Sequence, residues 1–513
     1  MRMSSDGLDT LTGLPGREEA RQEMDRRLAQ GRLFAIGLLD IDFFYNICAQ
    51  VGREEGDGIL HRLASLLTQQ TGGWAYRYGG DEFLLLIEGN AEGGSADFFN
   101  ALRRRVARAG LVTLSPYDKV PIRTSIGVAC AQEGSDGFAL LKTAEIALQS
   151  AKKMGRYRVE IFKAQGLQCR TQGRLHTLVG HALRGDCAEG VPAFDASLAE
   201  PYGVEFAGDC LLIVDRSNHR IRQVREGVVA TLCGTGVGGF SGDGGPATRA
   251  RLCKPSGAAV LPGGDRIYLA DTGNHRIRVI DHGVITTLCG TGVGGFSGDG
   301  GRGEDARLNR PGGVAVDRQG NVYTNDYGNN RIRRIDSRGV VSTVAGCGEY
   351  GYRGDGGQAV QACLDRPYGL CVAPGGDLLF IADYGNHCIR RVELSTGVIA
   401  TICGTGRPGY SGDGGPGRLA SLNAPYWVAL WKEDVLLIAD AGNHCIRAMN
   451  LSSGLVKTVC GSGEPGYVDS DDPSRMRLRI PAGMAVRHNE LIIADYGNNA
   501  IRRYLLRPGD LPQ

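Results

Sequence analysis

The chain has 513 residues, of which 42% are hydrophobic and 22% charged, which excludes a disordered or fibrous protein and suffices for about two to four globular domains. A net charge of +2 gives no bulk electrostatic attraction to nucleic acid or to an anionic membrane. Residues 1–6 lack the apolar core of a signal peptide, and no apolar run has the length of a membrane span. These features predict a cytoplasmic protein.

The first predicted strand is a continuous apolar run at residues 33–39, which is typical of a buried strand. A loop at residues 9–17 and an amphipathic helix precede it. The run ends at Asp40, Ile41 and Asp42. The sequence therefore predicts a carboxylate at the carboxyl end of a central strand.

Residues 77–83, Arg-Tyr-Gly-Gly-Asp-Glu-Phe, predict a β-hairpin, because apolar residues alternate with period two on both sides of them. Gly79 and Gly80 are expected to form a two-residue turn with positive φ. The two acidic residues that follow then stand at the hairpin tip, where Asp81 could share a divalent ion with Asp40. The alternative is a polar hairpin tip without a ligand.

The last helix of this region is predicted from apolar positions between residues 140 and 151. Lys152 and Arg156 are four residues apart, so both can face one side. Two cations beside a metal site with two carboxylates suit a triphosphate. The alternative is a solvated, charged helix end.

In this order the motifs resemble the GGDEF domain of diguanylate cyclases. The resemblance implies a ferredoxin-like α/β palm over residues 1–163. It also implies a homodimer in which two domains face each other, each holding one GTP, and join the nucleotides into cyclic di-GMP with release of pyrophosphate. The matching segments are residues 9–15, 40–44, 56–57, 77–83, 125–128 and 151–156.

The resemblance also implies roles for the acidic residues. Asp40 and Asp81 would hold two Mg²⁺ ions, with Mn²⁺ as a possible substitute, and the carbonyl of Ile41 would be a further ligand. Asp81 or Glu82 would be the catalytic group that helps to deprotonate the attacking 3′-hydroxyl. The chemistry would be in-line phosphoryl transfer, in which metals and positioning supply most of the catalysis.

The implied substrate-binding residues are Phe44, Cys48 and Asp57 around the guanine, with Lys152 and Arg156 on the β- and γ-phosphates. The family has an asparagine at the position of Cys48. A missing hydrogen bond to a buried base edge costs about 1–3 kcal/mol. The sequence therefore predicts weak GTP binding, relaxed base choice or lost activity.

Two further positions depart from the family pattern. Tyr45 stands where the family has a phosphate-contacting lysine. Gln70 and Gly73 stand where it has the arginine and aspartate of its product-inhibition site. Feedback by product at that site is therefore not expected.

The C-terminal two-thirds of the chain consist of repeats, which a predicted linker at residues 164–173 separates from the first domain. An Asp-x-x-Asn motif followed by Ile-Arg recurs at intervals of 55 to 57 residues. Long periods with several short strands per unit are typical of β-propeller blades. The aspartate and asparagine are expected to bind the backbone of their own turn. The motifs begin at Asp215, Asp271, Asp326, Asp383, Asp440 and Asp495.

These repeats resemble NHL repeats, which implies an all-β, six-bladed propeller over residues 174–508 that binds a partner protein or a small ligand. A strand near Thr177 precedes the first motif, and no equivalent strand follows the last motif. This N-terminal strand should therefore complete the blade formed by residues 481–506 and close the ring. The Arg-Ile-Arg strands would also suit RNA, but the low net charge argues against nucleic acid.

Two other features of the repeats are predicted to be structural. Cysteines that recur directly before a glycine indicate small buried side chains rather than a disulfide or zinc framework. Gly-Asp-Gly-Gly loops offer one carboxylate each, which is few for calcium, so turn geometry explains them better. The loop with Asp469, Asp471 and Asp472 is the better candidate for an ion site. The recurring cysteines are Cys233, Cys289, Cys403 and Cys460, and the loop aspartates are Asp243, Asp299, Asp355 and Asp413.

The sequence thus predicts a multidomain diguanylate cyclase whose C-terminal propeller senses or recruits a ligand and controls the N-terminal domain. Two alternatives stay open. In one, the GGDEF domain is catalytically silent, binds GTP and signals through the propeller as a scaffold. In the other, the propeller carries the whole function and the N-terminal domain is a dimerisation module.

Overall fold

The computed structural model describes residues 7–510 and 512, apart from 89–93, 110–111, 116–117, 121, 132–136, 154–155, 164–165, 170–174, 181, 183, 194–195, 226, 264–265 and 471. The chain divides into two compact units, Met1–Gln172 and Gly173–Gln513. Within the described ranges, no helix is both long enough and apolar enough to cross a membrane.

The N-terminal unit is built on one six-stranded sheet. Its elements in chain order are α1 (Arg17–Ala29), β1 (Phe34–Ile41), α2 (Phe44–Val51), α3 (Arg53–Thr71), β2 (Ala75–Arg77), β3 (Glu82–Glu88), α4 (Gly94–Arg108), β4 (Val112–Ser115), β5 (Asp118–Val120), β6 (Thr124–Cys130), α5 (Gly137–Lys153), β7 (Val159–Lys163) and β8 (Gly166–Cys169). The strand order is β2-β3-β1-β6-β7-β8, and β4 and β5 form a separate hairpin. Neighbours in the large sheet are antiparallel except β6 and β7, which are parallel.

Hydrophobic side chains pack on both faces of this sheet, as the apolar run of β1 predicted. Ala35, Leu39 and Ile41 pack in one core with α3 and α4, on what is here called the α3/α4 face. The alternate positions pack in a second core with α1 and α5, on the α1/α5 face; they are Phe34, Ile36 and Leu38. The period of two then assigns Asp40 to the α1/α5 face.

The linker prediction was wrong for four residues. Gly166–Cys169 form β8, which pairs with β7 from Glu160 opposite Cys169 to Lys163 opposite Gly166. Four residues are too few to display a recognisable alternation of apolar and polar side chains. The strand forms because it pairs with β7, and such a tertiary contact is not visible in the local sequence. The rest of the expected linker, residues 164–165 and 170–173 among them, lies outside the described residues.

The described part of the C-terminal unit contains six antiparallel sheets. The last sheet includes the first strand of the unit, β9 (Leu175–Val179). The first two sheets are β10 (Val191–Pro192), β11 (Pro201–Ala207), β12 (Cys210–Asp215), β13 (Arg220–Arg225) and β14 (Val228–Cys233), then β15 (Gly245–Pro246), β16 (Ala258–Val260), β17 (Ile267–Asp271), β18 (Arg276–Asp281) and β19 (Val284–Cys289).

The other four sheets contain four strands each. They are β20 (Pro311–Val316), β21 (Val322–Asp326), β22 (Arg331–Ile335) and β23 (Val341–Ala345); β24 (Pro367–Val372), β25 (Leu378–Asp383), β26 (Cys388–Glu393) and β27 (Val398–Cys403); β28 (Pro425–Trp431), β29 (Val435–Asp440), β30 (Cys445–Asn450) and β31 (Val456–Cys460); and β32 (Pro481–Arg487), β33 (Glu490–Asp495) and β34 (Ala500–Leu505), with β9 paired to β34. One strand of each sheet contacts one strand of the next sheet, in the order β11, β16, β20, β24, β28 and β32. The last of these, β32, also contacts β11.

The Asp-x-x-Asn motifs bind the backbone of other segments rather than that of their own turn, so that expectation was wrong. Asp383 accepts hydrogen bonds from the backbone N–H of Asp365 at 2.8 Å, from Asn386 Nδ2 at 2.9 Å and from Arg390 Nη1 at 3.3 Å. Arg390 is fully buried and also donates to Asp355 Oδ1 at 2.8 Å. The aspartate of a Gly-Asp-Gly-Gly loop is therefore an ion-pair partner, not only a turn residue. The equivalent buried arginines are Arg222, Arg278, Arg333, Arg447 and Arg502.

The loop expected to hold an ion uses its described carboxylates in other contacts. Asp469 pairs with Arg502. Asp472 accepts a hydrogen bond from the backbone N–H of Ser474 at 3.0 Å and lies 3.3 Å from Arg475 Nε. Asp471 lies outside the described residues. The recurring cysteines before glycines, by contrast, are buried as predicted.

Candidate active site

The carboxyl end of β1 meets the loop between β2 and β3. Asp40 lies opposite Glu82 in the β1–β3 register, so their side chains project from the same face of the sheet. The backbone N–H of Ile41 donates to the carbonyl of Asp81 at 3.3 Å. These contacts bring together the strand end and the hairpin tip that the sequence singled out.

The hairpin tip differs from the expected two-residue turn. β2 ends at Arg77 and β3 begins at Glu82, which leaves four residues in the loop, and neither Gly79 nor Gly80 adopts a left-handed φ. Arg77 holds the loop instead, because Nε donates to the carbonyl of Gly79 at 2.8 Å and Nη2 donates to that of Gly80.

The two loop glycines have different surroundings. A Cβ on Gly79 would lie 2.9 Å from Glu82 Oε2, whereas a Cβ on Gly80 would meet nothing within 4 Å. Gly79 therefore leaves room for the Glu82 side chain. Gly80 faces open space, where the backbone can approach a ligand closely.

Asp40 is buried, and its carboxyl group has a perturbed pKa. Burial is the main cause that raises its pKa, to about 7, and the charges of Asp42 and Asp81 raise it further. Lys152 opposes this effect, since its Nζ donates to Asp40 Oδ2 at 2.7 Å. The influence of Asp81 on Asp40 agrees with a shared site, although their joint binding of a metal stays a prediction.

Glu82 is half-buried beside the same lysine. Burial raises the pKa of Glu82, Lys152 lowers it, and the charges of Asp81 and Glu145 raise it. Glu145 lies on α5 and accepts a hydrogen bond from Tyr78 Oη at 2.9 Å. Glu145 could not be predicted as a site residue, because nothing local in the sequence distinguishes it from a solvated glutamate on an amphipathic helix.

Asp42 is a second buried acid, which the sequence analysis noticed but gave no role. It accepts hydrogen bonds from Ser125 Oγ at 2.7 Å and from the backbone N–H of Tyr157 at 3.0 Å. Arg156 Nε lies 3.8 Å from Asp42 Oδ1, and the guanidinium lies 4.8 Å from the centre of the Phe43 ring. Arg156 therefore does reach the end of β1, where it contacts Asp42.

The residues expected around the guanine lie where α2 packs on α3. A Cβ on Gly56 would lie 2.5 Å from Cys48 Sγ and 3.8 Å from Phe44 Cζ, so α2 packs closely on α3. Burial raises the pKa of the Cys48 thiol, and the charges of Asp57 and Asp81 raise it further. Asp57 and Asp81 are therefore both close enough to Cys48 to affect its ionisation. Tyr45 in α2 is 85% exposed.

Gln70 and Gly73, at the positions of the family's product-inhibition site, have structural roles here. Gln70, near the end of α3, accepts a hydrogen bond from Arg105 of α4. Gly73 follows the helix with a left-handed φ of 99°. This part of the surface therefore joins α3 to α4 and offers no Arg-x-x-Asp pair.

Comparison with known families divides the chain in the same way. Residues 7–158 match the model described as "Diguanylate cyclase, GGDEF domain". Residues 252–280 match "NHL repeat", and residues 289–353 match "Teneurin NHL domain". The N-terminal match includes the β1 end and the hairpin tip.

Three similar proteins each match a part of the chain. Diguanylate cyclase DosC of Escherichia coli K12 is 30% identical over 164 residues, which are 31% of this chain and 35% of DosC. Protein SUPPRESSOR OF QUENCHING 1 of Arabidopsis thaliana is 28% identical over 312 residues, which are 58% of this chain and 29% of that protein. The crystallised GGDEF domain of DgcB from Caulobacter crescentus, in complex with c-di-GMP, is 27% identical with a TM-score of 0.29, covering 31% of this chain and 98% of that one.

Proposed function

We propose that this chain, which carries a GGDEF domain followed by NHL repeats, is a diguanylate cyclase. In the proposed reaction, the 3′-hydroxyl of each of two GTP molecules attacks the α-phosphate of the other. Two new phosphodiester bonds form, two pyrophosphates leave, and the product is cyclic di-GMP. The observation that carries the proposal is the meeting of Asp40, Asp81 and Glu82 where β1 ends beside the hairpin tip.

The acidic groups of this site suit a divalent cation. All the side-chain donors are carboxylate oxygens, the ligands that Mg²⁺ prefers, and Mn²⁺ takes similar ligands. Burial and neighbouring negative charge raise the pKa of Asp40 and of Glu82, so a cation would favour their ionised forms. Asp40, Asp81 and the carbonyl of Ile41 would hold Mg²⁺, which when bound supplies positive charge to the transferred phosphoryl group.

The surrounding side chains have distinct roles in this proposal. Glu82 or Asp81 accepts the proton of the attacking 3′-hydroxyl at a carboxylate oxygen. Lys152 and Arg156, which contact Asp40 and Asp42, bind the β- and γ-phosphates. The exchange of a carboxylate for a phosphate leaves each cation with an anionic partner throughout.

The guanine would lie between α2 and α3. Asp57 accepts hydrogen bonds from donors on the base, and Phe44 and Cys48, which pack against Gly56, contact it. A thiol is a poor donor and acceptor compared with an amide, so Cys48 weakens selection of guanine. The pocket therefore binds GTP with lower affinity than an otherwise equal site with an asparagine.

Catalysis between two GTP molecules requires two of these domains, so we infer a homodimer as the active form. We also infer that the six C-terminal sheets form a six-bladed propeller closed by β9. The pairing of β9 with β34 and the contact of β32 with β11 support that inference. In this account the propeller binds a protein or a small ligand and controls the cyclase.

A second candidate function is a silent GGDEF domain that binds GTP as part of a signalling scaffold. Cys48 and the exposed Tyr45 favour it, because both remove a polar contact to the nucleotide.

The two candidate functions differ in whether GTP is converted into a product. Purified full-length chain is incubated with Mg²⁺ and each of the four ribonucleoside triphosphates, and the products are identified by mass spectrometry. Cyclic di-GMP from GTP supports the cyclase. Saturable GTP binding without turnover supports the scaffold, and the absence of both binding and turnover contradicts both.

A further inference from the structure

Two cysteines of the C-terminal unit lie side by side in the connection between the sheet of β20–β23 and that of β24–β27. Cys347 Sγ and Cys363 Sγ are 3.0 Å apart. The backbone positions them, because the N–H of Cys347 donates to the carbonyl of Ala362 at 2.8 Å. Cys347 is partly exposed and Cys363 is buried, so a reagent in solvent meets Cys347 first.

A basic side chain completes this group. Arg353 Nε donates to Cys363 Sγ at 2.9 Å, and Nη2 donates to Glu349 Oε2 at 2.7 Å. Burial opposes ionisation of Cys347, but hydrogen bonds from the Cys363 thiol and from Arg353 outweigh it and lower the pKa of Cys347. A thiolate beside an arginine is the reactive form of cysteine.

The equivalent loops of the chain carry other residues at these positions, so the dithiol is specific to one connection. In the four loops that align with this one, the position of Cys347 is a hydroxyl residue, that of Cys363 is arginine or serine, and that of Arg353 is serine or valine. A buried hydrophobic role common to all repeats, as for Cys289, does not explain such a set. The equivalents are Thr235, Thr291, Thr405 and Ser462; Arg251, Arg307, Ser421 and Arg477; and Ser241, Ser297, Ser411 and Val468.

The ion pair of this connection does not explain the cysteines either. In the loop before β32, Arg477 pairs with Glu464, and these residues occupy the positions of Cys363 and Glu349. Here Arg353 supplies the cation for Glu349 from another position. Position 363 therefore need not supply the cation that pairs with Glu349, and the cysteine there is not explained by that ion pair.

Cys347, Cys363 and Glu349 also lie close enough together to suggest a metal site. Two observations argue against it. The guanidinium of Arg353 already contacts Cys363 and Glu349, and a second cation would be repelled. Two thiolates on tetrahedral zinc lie about 3.8 Å apart, from Zn–S bonds of about 2.3 Å, whereas these sulfurs are at 3.0 Å.

We propose that Cys347 and Cys363 are a redox-active dithiol that a peroxide converts into a reversible disulfide. The Cys347 thiolate attacks hydrogen peroxide, which forms an S–O bond, breaks the O–O bond and releases hydroxide. The Cys363 sulfur then attacks the Cys347 sulfur, which forms the S–S bond and expels the oxygen as water with the thiol proton. Two thiols and one peroxide thus give one disulfide and two waters, and a dithiol reductant reverses the change.

The test uses the reduced, full-length protein treated with hydrogen peroxide. Titration of free thiols and mass spectrometry of a non-reduced digest are expected to show the loss of two thiols per chain and one peptide pair linked through Cys347 and Cys363. Reduction with dithiothreitol is expected to restore both thiols. Cys347→Thr and Cys363→Ser, each taken from an equivalent loop, are expected to abolish the linked pair.

Two further variants separate this site from general oxidation. Arg353→Ser is expected to slow disulfide formation severalfold, because the thiolate loses its cationic neighbour. Cys253→Ser, at a partly buried cysteine of another loop, is expected to leave the linked pair and its rate unchanged. Linkage of other cysteines in equal yield would overturn the proposal. So would one equivalent of zinc, retained by the reduced wild type and lost in Cys347→Thr.

Discussion

Lys152 Nζ lies 2.7 Å from Asp40 Oδ2, so the last turn of α5 contacts the carboxylate at the end of β1. Asp40 is buried, and Lys152 offsets part of the cost of its charge. In the proposed cycle Asp40 would bind the metal, and Lys152 would bind a phosphate instead of Asp40. Lys152 is therefore expected to change its partner from Asp40 to a phosphate when the nucleotide binds.

Replacement of Lys152 tests that exchange. Lys152→Met is expected to weaken GTP binding roughly 10- to 100-fold, because hydrogen bonds to charged groups contribute about 1.5–3 kcal/mol. Isothermal titration with a GTP analogue that carries a methylene group between the α- and β-phosphates measures the affinity without turnover. Lys153→Met removes the same charge from the next position as a control. Equal affinity of Lys152→Met and wild type would confine Lys152 to its contact with Asp40.

Cys48 limits the affinity of the base pocket. Cys48→Asn is expected to tighten binding of the same analogue about tenfold, because an amide can pair with the guanine edge. Gly56 stays unchanged in this variant, because a Cβ there would lie 2.5 Å from the present Cys48 Sγ. Cys48→Ala, which removes the thiol and adds no amide, is the control and is expected to show no gain. If Cys48→Asn binds no more tightly than Cys48→Ala, the guanine does not lie beside α2.

The buried arginines of the repeats stabilise the C-terminal unit through fixed partners. Arg390→Ala is expected to lower the free energy of unfolding of this unit by about 3–5 kcal/mol, because Asp383 would remain as a buried charge without its arginine. Arg391, the next residue of β26, is exposed, and Arg391→Ala is expected to change the stability by less than about 0.5 kcal/mol. Denaturant unfolding followed by tryptophan fluorescence measures both. Equal losses in the two variants would refute the special role of the buried position.

The C-terminal unit is proposed to control the cyclase. A chain that ends after residue 172 keeps β8 in its sheet, whereas a cut at residue 165 would remove that strand. We expect the 1–172 chain and the full-length protein to differ severalfold in cyclic di-GMP formation per chain and in the fraction of dimer at equal concentration. Enzyme assays and analytical ultracentrifugation measure the two quantities. Identical rates and identical dimerisation would leave the repeats as a passive attachment.

The sequence predicted those parts of the fold that depend on local pattern. The apolar run before Asp40, the hairpin at residues 77–83 and the repeated strands all carry a period or an apolar stretch that burial requires. The turn between β2 and β3 was predicted wrongly, because Arg77 binds two carbonyls of the loop and stabilises a wider connection than Gly-Gly alone suggests. Such a side-chain contact leaves no trace in hydrophobic periodicity.

The site was predictable where it rests on motifs and not where it rests on packing. Asp40, Asp81 and Glu82 stand in recognisable segments, and the structure brings those segments together. Glu145 and the burial of Asp42 depend on how α5 and β6 meet the end of β1, which no single segment encodes. The dithiol of Cys347 and Cys363 was missed for the same reason, since the two cysteines are separated in sequence and approach only in the folded chain.

The rate of cyclic di-GMP formation by Asp81→Asn tests whether this site is the active site of a diguanylate cyclase. Full-length wild type and variant are given GTP and Mg²⁺, product is quantified by mass spectrometry, and circular dichroism verifies the fold. Asp97→Asn, at an exposed position of α4, is the matched control. We expect product from wild type and Asp97→Asn, and a loss of roughly a hundredfold or more in Asp81→Asn, because a metal ligand is removed. Equal product from all three proteins would contradict it.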